Sequence, residues 1–376
     1  MNTVSLLIKP TSGLCNMKCT YCFYYDVMEN RDVESFGMMS DDTLKVMIKR
    51  VFEVTRSSVN LMFQGGEPTV IGLAYYELLV ELVQQYNTEK CPVNYTIQTN
   101  GTLIDDDFAL FFKKHNFLVG ISIDGTKDVN DAYRIDKNEK GTYDKVIKGL
   151  NYLKKHKVDF NILTVVTNNT VKHTEEIYDE LKNLGTDYLQ FIPCIDSFDG
   201  NKETHTLSPP QYLEFLKRLF DHWYKDIMKG KRVSIRYFDD ILAILLGYPP
   251  ASCTMYGHCV KHQVVESNGN VYPCDFYVVD EWLLGNIYDN SLEELLHVSK
   301  ANSFISNSIG VNVKCAACKY YRICRGGCKR NKEPFSKVED KQTKFCESYY
   351  GFFDYSFDRF IKIANMIREE RLLNNT

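Results

Sequence analysis

Eleven of the thirteen cysteines in this chain fall into groups with the spacing of metal-binding thiolates. The first group is Cys15-x3-Cys19-x2-Cys22, which places three thiols within eight residues, shortly after the apolar run from Ser5 to Ile8. A cubane 4Fe–4S cluster is normally held by four cysteines. Three close thiolates with no evident fourth therefore indicate a cluster with one iron open to a small molecule, although a zinc knuckle fits the same spacing.

A second set of eight cysteines lies in the C-terminal half and divides evenly into two four-thiolate sites. The members are Cys253, Cys259, Cys274, Cys315, Cys318, Cys324, Cys328 and Cys346. Four-cysteine zinc sites use similar turns, and His258 and His262 beside Cys259 offer mixed ligation, so spacing alone leaves zinc and iron–sulfur open. The remaining cysteines, Cys91 and Cys194, are expected to be apolar core residues.

Composition argues against several protein classes. The N-terminal run MNTVSLLIKP is too short for a signal peptide, and no stretch approaches the roughly 20 apolar residues that span a bilayer. A chain of 376 residues is far larger than the secreted scaffolds that disulfides stabilise. The net charge of −4 gives no electrostatic signature of nucleic-acid binding. We therefore expect a cytoplasmic protein without nucleic-acid or membrane partners.

One local basic cluster lies among the C-terminal cysteines and contains Arg322, Arg325, Lys329, Arg330 and Lys332. We interpret it as a solvated face, or as charges that tune a cluster potential, in preference to a phosphate site.

Six β-rich runs alternate with amphipathic helical stretches from residue 4 to about 195, which predicts parallel βαβ units with right-handed crossovers. Strands are predicted at 5–8, 60–63, 94–98, 118–123, 160–166 and 188–192, and helices near 40–56, 74–87, 105–115, 142–156 and 171–184. Such a set can close partially into a barrel with its chemistry at the carboxyl ends of the strands. The cysteine triplet follows strand one, Gly65-Gly66-Glu67-Pro68 follows strand two, Ser122 ends strand four and Ile195 follows strand six. The pattern therefore places these residues at one end of the barrel.

The pattern changes after this alternating region. Residues 196–208 are predicted to be a linker, with helices at about 209–229 and 235–246. A β-hairpin is predicted at 263–272, turning at Asn268-Gly269, and an aromatic helical tail, expected to pack against the core, at about 347–370. We therefore divide the chain into a barrel core (1–230), a cysteine-rich domain with two clusters (231–346) and a C-terminal helix (347–376).

Taken together, these motifs resemble the radical S-adenosylmethionine (radical SAM) enzymes, and among them the anaerobic sulfatase-maturating enzymes with their SPASM extension. The resemblance rests on the cysteine triplet, on Gly269-x4-Cys274 with the C-x2-C-x5-C-x3-C run and a later cysteine, and on further segments. Those segments are Phe63-Gln-Gly-Gly-Glu-Pro-Thr69, Gln98-Thr-Asn-Gly101, Ser122-Ile-Asp-Gly125, Val264-Val-Glu-Ser267 and Tyr272-Pro-Cys-Asp-Phe276. The resemblance implies an α/β fold, a partial (β/α)6 TIM-like barrel of the radical SAM type with a C-terminal SPASM domain that carries two auxiliary iron–sulfur clusters.

The resemblance also implies roles for individual residues. The implied ligands of the catalytic cluster are Cys15, Cys19 and Cys22. The implied ligands of one auxiliary cluster are Cys253, Cys259, Cys274 and Cys328, and those of the other are Cys315, Cys318, Cys324 and Cys346. The residues implied to contact S-adenosylmethionine are Tyr21, Gly65, Gly66, Glu67, Ser122, Arg134 and Ile195. Glycines allow close backbone approach, and a carboxylate can pair with the methionyl ammonium. For Ser122 and Ile195, packing in the barrel is an equal alternative when the resemblance is set aside.

By the same resemblance, Asp275 is the general base, although an aspartate beside a ligand also serves as a supporting or capping residue. The implied reaction is oxidation of a Cys or Ser of a sulfatase polypeptide to formylglycine. It uses S-adenosylmethionine and three 4Fe–4S clusters, and a low-potential donor such as flavodoxin or ferredoxin. Tyr24 is a weaker candidate for the substrate pocket.

Two alternatives remain open at this point. A maturase that crosslinks ribosomal peptides through thioether or carbon–carbon bonds often carries an N-terminal leader-binding domain, whereas here the first strand is predicted near residue 4. A non-catalytic iron–sulfur or zinc carrier needs neither an open triplet nor a glycine-rich cofactor segment.

Overall fold

The structure is a computed structural model that describes residues 2–200, 203–310, 312–333 and 342–374. The chain forms two compact units, and each is discontinuous in sequence. The first contains the chain up to Ile123, Asn130–Asn161 and Lys261–Ser306. The second contains Asp124–Val129, Ile162–Val260 and the chain from Asn307 onward.

The strands and helices follow one another in the order that the alternation predicts. The strands are β1 Thr3–Ile8, β2 Ser58–Phe63, β3 Val93–Thr99, β4 Leu118–Ser122, β5 Phe160–Val166, β6 Tyr188–Pro193, β7 Ser234–Ile235, β8 Gln263–Val265, β9 Asn270–Tyr272 and β10 Gly285–Asn286. The α-helices are α1 Phe23–Glu29, α2 Asp41–Val54, α3 Leu73–Tyr86, α4 Asp106–Lys114, α5 Lys127–Asp131, α6 Tyr143–Lys155, α7 Asn168–Lys172, α8 Thr174–Asn183, α9 Pro209–Met228, α10 Arg236–Leu245, α11 Leu292–Leu295, α12 Ser299–Ser308, α13 Val313–Ala316, α14 Tyr321–Cys324 and α15 Cys346–Asn374. Short 3-10 turns cover Pro68–Ile71, Cys253–Met255, Asp275–Tyr277, Asp280–Trp282 and Lys329–Asn331.

The first unit is built on a sheet in which β1 to β4 pair in parallel, each with the next along the chain. The other edge of β1 pairs in parallel with β8, which turns back into β9. Alternate residues of β1 (Val4, Leu6 and Ile8) are fully buried, as expected for a strand whose inner face contributes to a core. The carboxyl ends of β1, β2 and β8 therefore lie side by side, so the segments that follow them are neighbours.

The second unit has a parallel sheet of β5, β6 and β7 and a helical core. Its two longest helices, α9 and α15, pack through aromatic side chains. Phe220 of α9 lies 4.7 Å, centroid to centroid, from Phe360 of α15, and Phe352 stacks on Phe238 of α10 at 5.7 Å. The prediction that the aromatic tail packs into the core is therefore confirmed.

Most predicted elements are present within one or two residues, and the hairpin turns near Gly269, whose φ is +86°.

The helix predicted near 171–184 is two helices, because Thr167 and Thr170 form a capping box that starts α7, and a new helix begins after His173. Six helices of the described residues were not predicted, namely α1, α5, α11, α12, α13 and α14. All of them except α12 have four to seven residues, which are too few to show a helical period. The ten-residue α12 was missed in the cysteine-rich region. None of the helices in the described part of the chain has the length and apolarity needed to cross a bilayer.

Candidate active site

The cysteine triplet lies in the loop between β1 and α1, and Cys22 occupies the position directly before the first residue of α1. Burial, followed by the charges of Glu67, Cys19 and Cys22, raises the pKa of Cys15 to about 12. Burial and the charge of Cys19 raise the pKa of Cys22 to about 11. The three thiols are thus close enough for their thiolates to repel one another, and a bound cation would relieve that repulsion. This donor set fits an iron–sulfur cluster.

The Gly65-Gly66-Glu67-Pro68 segment packs directly against the cysteine loop. Both glycines have positive φ, +96° and +55°. A Cβ on Gly66 would stand 2.2 Å from the carbonyl oxygen of Leu14, the residue before Cys15, and the Glu67 amide donates to that same carbonyl at 2.9 Å. Only glycine allows this approach. The segment therefore fixes the start of the cysteine loop.

The Glu67 carboxylate is buried and accepts four hydrogen bonds from the protein. The Thr69 amide (3.0 Å), the Thr69 hydroxyl (2.6 Å) and the Thr99 hydroxyl (2.6 Å) bind Oε1, and the Asn100 amide binds Oε2 at 2.6 Å. Burial nevertheless raises its pKa above the ordinary value, against the lowering effect of these donors. The carboxylate therefore ties the segment after β2 to the end of β3.

Arg134, Tyr21 and Cys22 lie together. Arg134 is 5% exposed, and its Nη1 donates to the Tyr21 hydroxyl at 2.9 Å. Its charge also counteracts the rise in the pKa of Cys22. Ser122 is buried at the end of β4, where its hydroxyl accepts from Gln98 Nε2 at 2.9 Å. The structure thus brings Tyr21 and Arg134 to the cysteine loop and places Ser122 at a strand's carboxyl end.

Asp275 is buried in the 3-10 turn after β9, directly after Cys274, and its two carboxylate oxygens differ. Oδ2 accepts from the Tyr24 hydroxyl and from Gln64 Nε2, both at 2.7 Å. Oδ1 is buried and has no hydrogen-bond partner in the part of the chain that the structure describes. Burial raises the pKa of this carboxyl group above its ordinary value, against the opposing charge of Lys9.

A cluster of buried charges lies beside Asp275. Glu266, which follows β8, accepts from Arg31 Nη1 at 2.9 Å and lies 3.4 Å from Lys9 Nζ. Lys9 is 1% exposed, and its ammonium stands 4.8 Å from the centroid of the Tyr24 ring. Burial disfavours the Glu266 carboxylate, but Lys9, Arg31 and local hydrogen bonds overcome this and hold its pKa below the ordinary value.

Sequence reasoning did not assign roles to Lys9 and Gln64. Each directly follows the last residue of a strand, Ile8 of β1 and Phe63 of β2. The carboxyl ends of parallel strands are where side chains converge on a site, so these positions carried a usable signal.

Four cysteines of the second unit surround one cavity of about 470 Å³. They are Cys315, Cys318, Cys324 and Cys346, and the remaining lining includes aromatic side chains such as Tyr321 and Phe353. Burial, together with the charges of the other three cysteines, raises the pKa of Cys324 to about 11. A cavity ringed by four mutually repelling thiols fits a cubane cluster.

The other auxiliary set is divided between the units. Cys253, Cys259 and Cys328 belong to the second unit, where burial and the charges of Cys328 and Cys259 raise the pKa of Cys253 to about 11. Cys274 belongs to the first unit, beside Asp275. Across the described residues, no three Cys, His, Asp or Glu side chains converge tightly enough to hold a single metal ion. A cubane has a different requirement, because each thiolate binds its own iron atom.

The remaining predicted positions are Ile195, the two cysteines outside the ligand sets, and the basic cluster. Ile195 is half-buried just after β6. Cys91 and Cys194 are buried, as expected for core residues. In the basic cluster, Lys329, Arg330 and Lys332 are buried, and Lys332 Nζ lies 3.7 Å from where a Cβ on Gly326 would stand, in the loop between two cysteines.

Comparison with known proteins gives matches over nearly the whole chain. Residues 10–181 match the family model of the Radical SAM superfamily, and residues 257–319 match that of the SPASM iron-sulfur cluster-binding domain. A cysteine-type anaerobic sulfatase-maturating enzyme of Clostridium novyi (strain NT) is 46% identical over 369 residues, covering 98% of this chain and 99% of that protein. A serine-type enzyme of Bacteroides thetaiotaomicron is 32% identical over 371 residues, covering 93% and 88%. The solved structure of native anSMEcpe with bound AdoMet and Cp18Cys peptide has a TM-score of 0.92 at 45% identity, covering 97% of this chain and 99% of that chain.

These matches confirm the predicted fold class, a partial barrel of the radical SAM type with a C-terminal SPASM domain. They also confirm that the protein is an enzyme and not a non-catalytic carrier. The crosslinking alternative is not favoured, because both the cysteine-type and the serine-type relatives are sulfatase-maturating enzymes. The chain belongs to the anaerobic sulfatase-maturating enzymes of the radical SAM superfamily.

Proposed function

We propose that this protein oxidises a cysteine of a sulfatase polypeptide to formylglycine, using S-adenosylmethionine and three 4Fe–4S clusters. The choice of cysteine over serine is supported by identities of 44–46% to cysteine-type relatives against 30–32% to serine-type ones. A low-potential carrier such as flavodoxin or ferredoxin supplies the electron that starts the reaction, and the protein works in the cytoplasm.

The observation that carries the proposal is the unpartnered Oδ1 of Asp275. A buried carboxylate oxygen without a hydrogen bond is costly, so such an atom in a native site points to a partner that arrives later. A thiol of the substrate can fill this role, because its S–H donates to a carboxylate. Tyr24 and Gln64 hold the other oxygen, so the free one has a fixed position.

In this proposal, cysteines hold the iron–sulfur clusters, and a separate set of residues binds S-adenosylmethionine. Cys15, Cys19 and Cys22 hold the catalytic cluster, and the eight C-terminal cysteines hold the auxiliary pair in the sets given above. Arg134 suits the cofactor carboxylate, because a guanidinium can bind it bidentately. The segment from Gly65 to Glu67 receives the methionyl amino group, with the Glu67 carboxylate bracing it against β3. Tyr21, Ser122 and Ile195 complete the contacts.

When bound, the catalytic cluster and S-adenosylmethionine would supply the radical chemistry that takes one hydrogen atom from the β-carbon of the target residue. That loss makes the neighbouring S–H far more acidic, and Asp275 takes its proton through Oδ1. An auxiliary cluster would accept the one remaining electron, so the substrate loses two electrons in all. Water then hydrolyses the resulting thioaldehyde to the aldehyde and hydrogen sulfide.

The test is an anaerobic assay with reductant, S-adenosylmethionine and peptides that carry either Cys or Ser at the target position. We expect mass spectrometry to show an aldehyde product, formed faster from the Cys peptide. A Ser peptide that reacts faster would overturn the substrate assignment. A crosslinked product with no aldehyde from either peptide would favour the alternative maturase.

A second prediction concerns the base. Asp275→Asn removes the proton acceptor but preserves the shape of the site, so peptide oxidation should fall by about 10²–10⁴-fold. Cleavage of S-adenosylmethionine without peptide should continue, measured as 5′-deoxyadenosine. Asp280→Asn, five residues along the chain, is the matched control and should oxidise peptide normally. Equal peptide oxidation by both variants would refute the assignment of Asp275.

A further inference from the structure

A second cavity of the C-terminal unit has a basic lining. It encloses about 540 Å³ and is lined by His258, Arg322 and Arg325 together with apolar and aromatic groups that include Ile309 and Tyr321. Among the described residues that line it there is no carboxylate. The chain as a whole carries a net charge of −4. This cleft, which we call the basic cleft, is therefore a local positive site on an acidic protein.

The backbone around the basic cleft holds its charged side chains in place. Arg325 has a positive φ of +51°, which is uncommon for a residue with a side chain. Its Nε donates to the carbonyl of Arg322 at 3.3 Å, and the carbonyl of Arg325 itself packs against Gly257, where a Cβ would stand only 2.5 Å away. His258 Nδ1 donates to the carbonyl of Cys259 at 2.9 Å. These contacts build the cleft from the same loops that carry the cysteines.

The basic cleft adjoins the cavity that is ringed by four cysteines. Tyr321 lines both cavities. Arg322 and Arg325 flank Cys324, which is one of the four thiols. A redox group seated in the cleft would thus be separated from the thiol cavity by about one side chain. That proximity suits electron transfer, which needs only short distance and no bond to the cluster.

The exposed surface beside the cleft is apolar as well as basic. Ile309, which lines the cleft, is 55% exposed. A basic rim with an exposed apolar side chain complements a partner that surrounds its redox group with carboxylates, and charge complementarity of this kind accelerates encounter by about 10–10³-fold.

We propose that the basic cleft is the docking site of an acidic one-electron carrier protein of the flavodoxin or ferredoxin kind. The oxidised carrier takes one electron from the auxiliary cluster held by Cys315, Cys318, Cys324 and Cys346. The cluster is oxidised by one electron, the carrier is reduced by one, and no bond forms or breaks. The inference rests on the proposed function only for the presence of that cluster.

The experiment uses the iron-loaded enzyme, reduced anaerobically, freed of excess reductant and mixed in a stopped flow with oxidised flavodoxin as the probe. Semiquinone formation is followed without S-adenosylmethionine or peptide, so failure of peptide oxidation does not affect the result. The test variant is Arg322→Glu/Arg325→Glu. The control is Lys229→Glu/Lys231→Glu, which makes the same charge change at exposed positions elsewhere in this unit.

We expect the test variant to react at least tenfold more slowly than the wild type, with a weaker dependence on ionic strength. The control should react like the wild type, and a small neutral quinone should oxidise all three proteins equally fast. If the test variant matches the control with flavodoxin, or if it slows equally with the quinone, the docking site is wrong.

Iron analysis separates this proposal from the proposed function. About 12 irons per chain correspond to three cubanes, and a wild-type protein with only four would contradict the auxiliary clusters themselves. Should the double variant lose iron, the exposed single variant Arg322→Glu takes its place. We then expect at least a threefold slower reaction with flavodoxin, and an unchanged rate would overturn the docking site.

Discussion

At the scale of single residues, the candidate site depends on buried charges that are mutually compensated. Glu266 stands between Lys9 and Arg31, and all three side chains are almost completely removed from water. Burying one such ion alone costs several kcal/mol, which its partners offset only while they are present. Lys9 also faces Tyr24, which in turn holds Asp275. The charge balance therefore supports the geometry of the base.

Replacing Glu266 by Gln should consequently be costly. Two buried cations would lose their countercharge, and we expect the free energy of unfolding to fall by about 3–5 kcal/mol. Chemical denaturation under anaerobic conditions measures this. Glu53→Gln is the matched control, since Glu53 pairs with Arg50 on an exposed surface, where such pairs contribute only about 0–1 kcal/mol. Similar losses in the two variants would show that the buried charges are not coupled.

The interaction of Glu266 with Lys9 and Arg31 also predicts that the free energy of unfolding depends on pH. The pKa of Glu266 is lower in the folded protein than in the unfolded chain. The stabilisation by Glu266 is therefore fully present above pH 4.5, which is the pKa of this group in the unfolded chain. It is lost as the pH falls through the lower pKa of the folded protein. The stability difference between wild type and Glu266→Gln should shrink on acidification through this window.

At the scale of elements, the turn after β2 positions the catalytic loop. Gly66 allows the turn to touch the carbonyl of Leu14, and Glu67 ties the turn to β3. The loop that carries the three cysteines is thus held by a neighbouring strand connection as well as by its own sequence.

Gly66→Ala should displace this loop. The new Cβ would overlap a backbone oxygen, which has no rotamer by which to move away, so we expect loss of the N-terminal cluster. Iron should fall from about 12 to about 8 per chain, and cleavage of S-adenosylmethionine should stop. The control is Gly72→Ala, where φ is also positive (+92°) but the space is open. Full iron in both variants would contradict the role of the turn.

How much of this could be predicted from sequence differs between elements. The β-rich runs of β1 to β6 and the cysteine spacings are local signals, so the strands and the candidate ligands could be predicted directly from the sequence. The contacts of Lys9 with Glu266 and of Gln64 with Asp275 join residues more than 200 positions apart. No local pattern marks such pairs, because only the sheet order brings β1, β2 and β8 together.

At the scale of the whole molecule, the cysteines are divided between two units. The triplet lies in the first unit, and the four thiols around the 470 Å³ cavity lie in the second. Loss of one set should therefore leave the other able to load its cluster.

Cys315→Ala/Cys318→Ala should lower the iron content from about 12 to about 8 per chain. Cleavage of S-adenosylmethionine without peptide should persist, whereas formylglycine formation should be lost. Cys91→Ala/Cys194→Ala is the control, because both residues are buried core cysteines outside the predicted ligand sets, and it should keep full iron. Equal iron in the two variants would exclude the proposed ligands.

The pairing of β1 with β8 has a consequence for biosynthesis. Leu6 to Ile8 emerge from the ribosome more than 250 residues before their partners Gln263 to Val265. Until then, one edge of β1 stays open, and open strand edges are sites of mispairing with other chains. The nascent chain must therefore wait, with its first strand incompletely paired, until most of the polypeptide has been translated.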